Sequence, residues 1–321
     1  MWEACGMVRK KMLTTEQMAL IYKKDAASDE EAWEDFLIAK QMQGVSDKTI
    51  ALYHNVKRVV LRDLPLAEIE NEMVNLTSKE IERLILYWKT VVKVPTINSR
   101  IRVMKTYYST LKKRKTLKND PMEYIHQMKE KEIIKDTLNE KEISKIVKYF
   151  KSFGTFAHYR NLVLFELLLD TGLRISEALS IEVSDITDSS IIIKETKSMR
   201  QRIVYPSPHC LHSIDTYKKI RGSSNCDYLF ITVDGDKLSK NQFQGELRKA
   251  GRICKIEKNV GPHMLRRTYA KHAVLNGIDP FSLARLLGHE DLNTTKRYVQ
   301  IYGTDLKEQS KKRGNFQKLF M

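Results

Sequence analysis

The sequence predicts a two-domain protein that is mainly α-helical, with one small antiparallel β-sheet confined to the second domain. Three observations predict it. Apolar residues recur at spacings of three and four along most of the chain, the period of an amphipathic helix. Short β-branched runs are confined to residues 183–205. A charge-dense stretch at 119–136, containing Pro121, separates two such regions in a chain of 321 residues, which is long for a single small core.

Residues 1–28 are polar and mixed and read as an N-terminal arm, with one short helix around Thr15 to Lys23. The first domain, 29–118, is helical throughout. Trp33, Phe36, Leu37 and Lys40 open an amphipathic helix that Gly44 closes, and Ser46 is placed to cap the next. That second helix runs from Asp47 to Leu61, with Ile50, Tyr53, Val56, Val59 and Val60 on one face and Lys48, Lys57 and Arg58 on the other. Thr77 to Glu80 spells the S/T-x-x-E capping box of a third helix, which continues through Ile81, Leu84, Ile85 and Trp88. Pro95 breaks the chain, and a fourth helix from Thr96 to Lys115 buries Ile97, Ile101, Met104, Tyr108 and Leu111. It displays Arg100, Lys105, Lys112, Lys113, Arg114 and Lys115.

The segment 119–136 reads as a linker. The second domain, 137–302, opens at Asn139, a helix cap with Glu142 at the reciprocal position. A long buried helix from Arg160 to Leu169 ends in the turn Thr171-Gly172, and helix resumes at Ile175. Val183 to Ile186, Ile191 to Glu195 and Gln201 to Tyr205 predict a three-stranded antiparallel sheet. Helix then returns, with Pro262 and Pro280 near helix starts and Gly277 and Gly288 at helix ends. Residues 303–321 form a tail in which Phe316, Leu319 and Phe320 stand in a polar setting.

Lys and Arg number 56 against 40 Asp and Glu, a net charge of +16. A surplus that large draws polyanions through ion pairing and counterion release, so nucleic acid is the favoured partner over a merely solvated basic surface. The basic helical faces make Lys48, Lys57, Arg58, Arg100, Lys105, Lys112 and Lys113 candidate DNA contacts. No apolar run approaches the roughly 18 residues of a membrane span, and no signal sequence is apparent at the N-terminus, which predicts a soluble intracellular protein. Cys5, Cys210, Cys226 and Cys254 form no C-x-x-C pair, so reduced thiols are expected. His209, Cys210 and His212 lack a second ligand pair at metal-site spacing, and no metal is expected.

Four stretches carry polar residues beside helix termini: TGLRISEAL (171–179), ETKSMRQRIVYP (195–206), GPHMLRRTYAKH (261–272) and LLGHEDLNTTKRYVQIY (286–302). In the first, Arg174 emerges at the start of a helix with Glu177 on the same face to orient or neutralise it. In the third, His263 and Arg266 stand three apart and project together, so one phosphate can meet both, while Arg267 points elsewhere. In the fourth, Gly288 ends a helix, His289 follows, and Asn293 can cap the helix that carries Tyr298. Taken without its neighbours, Tyr298 reads as an ordinary core tyrosine.

In this order the four stretches resemble the tyrosine recombinase, or phage integrase, family. T-G-L-R with Glu177, H-x-x-R at His263 to Arg266, and L-G-H followed nine residues on by Tyr298 match its motifs. The resemblance implies a two-domain DNA clamp, with 29–118 as a helical core-binding domain and 137–302 as the catalytic domain. It implies that Tyr298 attacks a DNA phosphate to give a 3′-phosphotyrosine, with Tyr302, one helical turn on, as the rival nucleophile. Arg174 and Arg266 would grip the nonbridging oxygens, His263 would act as acid or base, and His289 would donate to an oxygen. The family's catalytic lysine lies in the turn between the second and third strands. Here Thr196-Lys197-Ser198 replaces its usual glycine frame, and Lys197 is the match, with Lys194 and Arg200 as alternatives.

The implied reaction needs neither cofactor nor metal. The implied partner is double-stranded DNA, held by a homotetramer when synapsed and a monomer when free. The location expected is the cytoplasm, at the nucleoid and away from membranes. Strand exchange would pass through a Holliday junction, in the service of a mobile element or of resolution, and the tail 303–321 would dock in trans. A type IB topoisomerase or telomere-resolving enzyme shares the chemistry and is the alternative reading, with a non-catalytic DNA-binding regulator behind it.

Overall fold

The structure, a computed structural model, describes residues 28–130, 136–194 and 201–288. The chain divides into two units, Met1–Glu132 and Ile133–Met321.

In the first unit the described helices are α1 (Asp29–Met42), α2 (Asp47–Asp63), α3 (Ser78–Val91) and α4 (Val94–Lys113). Helix α1 starts at Ser28, whose hydroxyl accepts from the Glu31 N–H while the Glu31 carboxylate accepts from the Ser28 N–H, satisfying two orphan donors. The Asp29 carboxylate turns inward and accepts from the N–H groups of Met73 and Val74 at 2.9 and 2.6 Å, which ties the helix start to a short 3₁₀ turn. Trp33, Phe36, Tyr53 and Tyr107 meet in tilted and edge-on contacts at ring separations between 5.1 and 5.6 Å and form the aromatic centre of this core. The break expected at Pro95 falls at Val92 and Lys93, between α3 and α4. Pro95 lies in the first turn of α4, where its missing N–H is one that the helix would leave unbonded in any case.

Two expectations are corrected here. Arg100 is not displayed: it is 9% exposed, with its guanidinium 4.8 Å from the centre of the Trp88 ring and 3.5 Å from Asp63 Oδ2. Asp63 is itself buried and also accepts from Trp88 Nε1 at 2.8 Å. A carboxylate on the neighbouring helix holds Arg100 inside, which argues against its meeting a phosphate. Nor is 119–130 a linker. Met122 and Ile125 enter the first core, and Asn98 exchanges hydrogen bonds with the backbone of Met128 at 2.8 and 2.9 Å. Sparse apolar residues suffice where side-chain amides satisfy the backbone.

In the second unit the described helices are α5 (Glu140–Lys151), α6 (Phe156–Thr171), α7 (Ile175–Leu179), α8 (Pro208–Arg221), α9 (Lys240–Ile253), α10 (Pro262–Leu275) and α11 (Pro280–Leu287). Asn139 and Glu142 form the capping box of α5. Helix α6 is apolar on nearly every side, burying Leu162, Val163, Leu164, Phe165, Leu167 and Leu168, so it runs through the core and packs against α5, α8 and α10. Helices α10 and α11 meet over Ala270, Ala273, Val274, Leu283 and Leu287.

The sheet holds two strands among the described residues, β1 (Ile191–Ile193) and β2 (Arg202–Val204). They are antiparallel, with Ile191 opposite Val204 and Ile193 opposite Arg202. The expected first strand is a 3₁₀ turn, Val183–Asp185, that touches β1 through a single bridge from Ile186 to Ile191. The Asp185 carboxylate accepts from the Glu182 N–H at 2.9 Å and closes the turn. A local side-chain acceptor outcompetes strand pairing over so few residues.

Candidate active site: arginines held on two helix caps

Helix α6 ends at Gly172, whose φ of 64° lies in the left-handed region and whose N–H bonds Leu168 O at 3.1 Å. A side chain has no room there: a Cβ would lie 2.3 Å from Tyr269 Cδ1 and 2.9 Å from Leu287 Cδ2. The reversal sets Arg174 at the start of α7. There the Glu177 carboxylate accepts from the Arg174 backbone N–H at 2.9 Å and from its guanidinium at 2.8 Å. The second cap is Gly288 at the end of α11, also left-handed with φ 64°.

These two caps hold the arginines. Arg266, 6% exposed on α10, donates to Gly172 O at 2.7 Å and to Leu287 O at 2.6 Å. Arg174 donates through Nη2 to Gly288 O at 3.0 Å. Each helix terminus has carbonyls with no intrahelical partner, and a guanidinium satisfies them with forked donors of fixed geometry. The sequence-predicted pair Arg174 and Arg266 is therefore brought together across α7, α10 and α11, although 92 residues separate them. His263 is exposed in the first turn of α10, one turn before Arg266.

A third arginine joins them. Arg202 of β2 makes a two-pronged pair with Glu177, at 3.1 Å to Oε1 and 2.8 Å to Oε2. Sequence reasoning missed it, though a signal was available: Arg202 shares its strand face with buried Val204, and an inward-facing arginine requires a buried acid. Glu177 is 2% exposed. Burial pushes its carboxyl up, but the Arg202 and Arg174 guanidiniums and the Arg174 N–H outweigh burial and hold it below the ordinary glutamate range.

A pH dependence follows from that shift. A carboxyl whose pKa is lower folded than unfolded stabilises the fold at neutral pH and loses that contribution as pH falls below about 4.3 and through its folded value. Glu177→Gln is expected to cost about 3 kcal/mol at pH 7. The wild-type and variant stabilities should converge on acidification. Thermal melts between pH 7 and 3 test this, and parallel acid limbs would refute the assignment.

Lys194 is ion-paired with two carboxylates. Its ammonium lies 2.9 Å from Glu182 Oε2 and 2.6 Å from Asp185 Oδ1, and these two carboxylates raise its pKa. A lysine so paired is a poor proton donor, which weakens it as an alternative to Lys197. Lys197, Arg200, His289, Asn293, Tyr298, Tyr302, the tail 303–321 and the arm as far as residue 27 lie outside the described residues.

Of the basic residues singled out in the first unit, Lys48, Arg58, Lys112 and Lys113 are exposed, whereas Lys57 and Lys105 are half-buried. Lys57 lies 5.1 Å over the Trp33 ring, Arg58 bonds Asn55 at 2.8 Å, and Lys112 stands 3.6 Å from Glu123. Cys210 is buried and its thiol is pushed up by burial; among the described residues no three His, Cys, Asp or Glu side chains stand together as metal ligands would. No helix among the described residues is long and apolar enough to cross a membrane.

A model of the phage integrase family matches residues 136–304, more than half of the chain. The tyrosine recombinase XerD of Oceanobacillus iheyensis is 28% identical over 220 residues, 66% of this chain and 73% of that protein. XerD of Halalkalibacterium halodurans is 24% identical over 277 residues, 84% of this chain and 92% of that protein. Among solved structures, a lambda integrase tetramer bound to a Holliday junction matches with a TM-score of 0.71 at 17% identity, covering 88% of this chain and 80% of that one, a likeness of fold. The matched span takes in both arginine-bearing caps and every motif residue from Arg174 to Tyr298, and the chain belongs to the phage integrase family, the tyrosine recombinases, whose members cleave and rejoin DNA through a tyrosine.

Proposed function

We propose that this chain is a site-specific DNA recombinase that exchanges strands through a 3′-phosphotyrosine and a Holliday junction. The observation that carries the reading is the pair of guanidiniums, Arg174 and Arg266, anchored on two left-handed helix caps. Carbonyl anchors orient the two forks before any substrate arrives, so little reorganisation is needed when charge develops on a phosphate.

In this reading the Tyr298 oxygen forms a bond to phosphorus, and its proton passes to an acceptor, His263 being the candidate. The bond from phosphorus to the 5′ oxygen breaks, and that oxygen takes a proton from Lys197. Arg174, Arg266 and His289 hold the nonbridging oxygens while the phosphorus is pentacoordinate. A 5′-hydroxyl from a partner duplex then reverses the step and releases the tyrosine. The phosphodiester bond energy is kept in the phosphotyrosine, so the cycle balances without a nucleotide or a metal. A tetramer is proposed as the working assembly, in keeping with the lambda integrase tetramer on a Holliday junction, and the tail 303–321 is proposed to dock between neighbours.

The test is a nicked duplex that loses its short 5′-hydroxyl strand after attack and so traps the covalent complex. Full-length protein incubated with a random-sequence library of such duplexes should become attached to one sequence family carrying an inverted repeat, and two labelled duplexes of that family should be joined. Attachment together with relaxation of a supercoiled plasmid that carries one copy of the sequence, and no joining of two duplexes, would favour a topoisomerase and sink the recombinase reading.

Lys48, Lys57, Arg58, Lys105, Lys112 and Lys113 are proposed to meet the DNA backbone. Each phosphate contact contributes about 0.9 to the slope of log affinity against log salt. Lys112→Gln with Lys113→Gln should therefore lower that slope by about 1.8 and weaken all sequences alike, as filter binding at several salt concentrations will report. An unchanged slope removes this pair from the interface.

A further inference from the structure

We propose that Arg202 is a positioning residue that preserves the positive charge of Arg174 for the scissile phosphate, an inference that rests on the phosphate reading above. The difficulty it resolves is electrostatic. Glu177 is needed to orient Arg174, since it accepts from both the backbone N–H and the guanidinium of that residue. Yet a buried carboxylate 2.8 Å from an arginine also cancels its charge, and a neutral pair offers a phosphate little. Arg202 supplies a second guanidinium to the same carboxylate, on both oxygens. Arg174, Glu177 and Arg202 together then carry one net positive charge instead of none. That charge is available to the negative charge that develops on a pentacoordinate phosphorus.

The placement of Arg202 serves this role in a second way. Its guanidinium lies against the open face of Gly288, where a Cβ would come within 2.9 Å of Cζ and Nη1. Gly288 also provides the carbonyl that Arg174 holds. One side chain, 14% exposed, thus touches the acid that orients Arg174 and the residue that anchors it. Arg202 opens β2, the strand that follows Lys197, so it also links the hairpin to the two caps. Val204 on the same face is buried and fixes the register of the strand.

The experiment uses the full chain and a nicked duplex to which the wild-type protein attaches covalently. Arg202→Gln is expected to slow single-turnover attachment about 10²-fold while the DNA Kd stays within about twofold. Arg202→Lys keeps the charge and should attach within about tenfold of wild type. Glu177→Gln combined with Arg202→Gln restores the net charge around Arg174 and should attach at least about tenfold faster than Arg202→Gln alone. A methylphosphonate at the scissile position carries no negative charge, and on it the gap between wild type and Arg202→Gln should narrow to about threefold.

The proposal is overturned if Arg202→Gln attaches within about threefold of wild type on the ordinary phosphate, or if its deficit is undiminished on the methylphosphonate. Should Arg202→Gln fail to fold, the lysine and double variants carry the test, and attachment slower than wild type by about 10²-fold in both would overturn it. If the wild-type chain attaches to no duplex in the library, the phosphate reading itself falls, an outcome separate from any difference among the variants.

Discussion

Tyr298→Phe is expected to abolish covalent attachment to DNA, by at least about 10⁴-fold, while leaving DNA binding and melting temperature close to wild type. The phenol oxygen is the atom that joins phosphorus, and no neighbouring group can replace a missing bond. Tyr302→Phe should retain attachment, because L-G-H at Leu287 to His289 sets the spacing to Tyr298 and leaves Tyr302 one turn too far along. Denaturing gels of the two variants on the nicked duplex decide between them, and peptide mapping of the wild-type adduct places the modified residue. Attachment surviving in Tyr298→Phe and lost in Tyr302→Phe would reverse the assignment. A phenol with a pKa of about 10 needs cations nearby to attack at neutral pH, so the arginine cluster is a condition for this chemistry as well as an anchor for the phosphate.

Much of that cluster was legible in the sequence, for a definite reason. Gly172 and Gly288 stand where periodic apolar runs stop, and the backbone reversal each allows is a local property. The capping boxes at Ser28, Thr77 and Asn139 are equally local. What escaped notice depends on partners distant in the chain. Arg100 looks like a surface residue of a basic helix until Asp63, 37 residues earlier, is placed beside it. Arg202 looks like one more cation after Lys197 until Glu177 is seen to need it. Val183 to Ile186 has strand composition, but a strand needs a neighbour along its length, and Asp185 closes the turn first. Met122 and Ile125 lack periodicity, and their burial is decided by contacts with the first core that no local pattern announces.

Arg266→Gln is expected to act on both folding and chemistry, and the two effects can be separated. Arg266 bridges the carbonyls of Gly172 and Leu287, so its loss leaves two buried acceptors at the ends of α6 and α11 without charged donors. Hydrogen bonds from a charged donor are worth more than neutral ones, and the cost should be about 2–3 kcal/mol. In a unit of this size that lowers Tm by roughly 5–10 °C. The chemical loss should be larger, about 10³-fold in attachment rate, because the guanidinium that holds a phosphate oxygen is gone. At temperatures well below the variant's Tm the protein is folded, and only the chemical deficit remains. Arg266→Lys sharpens the comparison: it keeps the charge but has no fork with which to span the two carbonyls. If anchoring on both caps is what makes the site competent, the lysine variant will stay as slow as the glutamine variant to within about tenfold. Recovery of wild-type attachment by Arg266→Lys would mean that charge alone suffices and that the two caps serve the fold rather than the reaction.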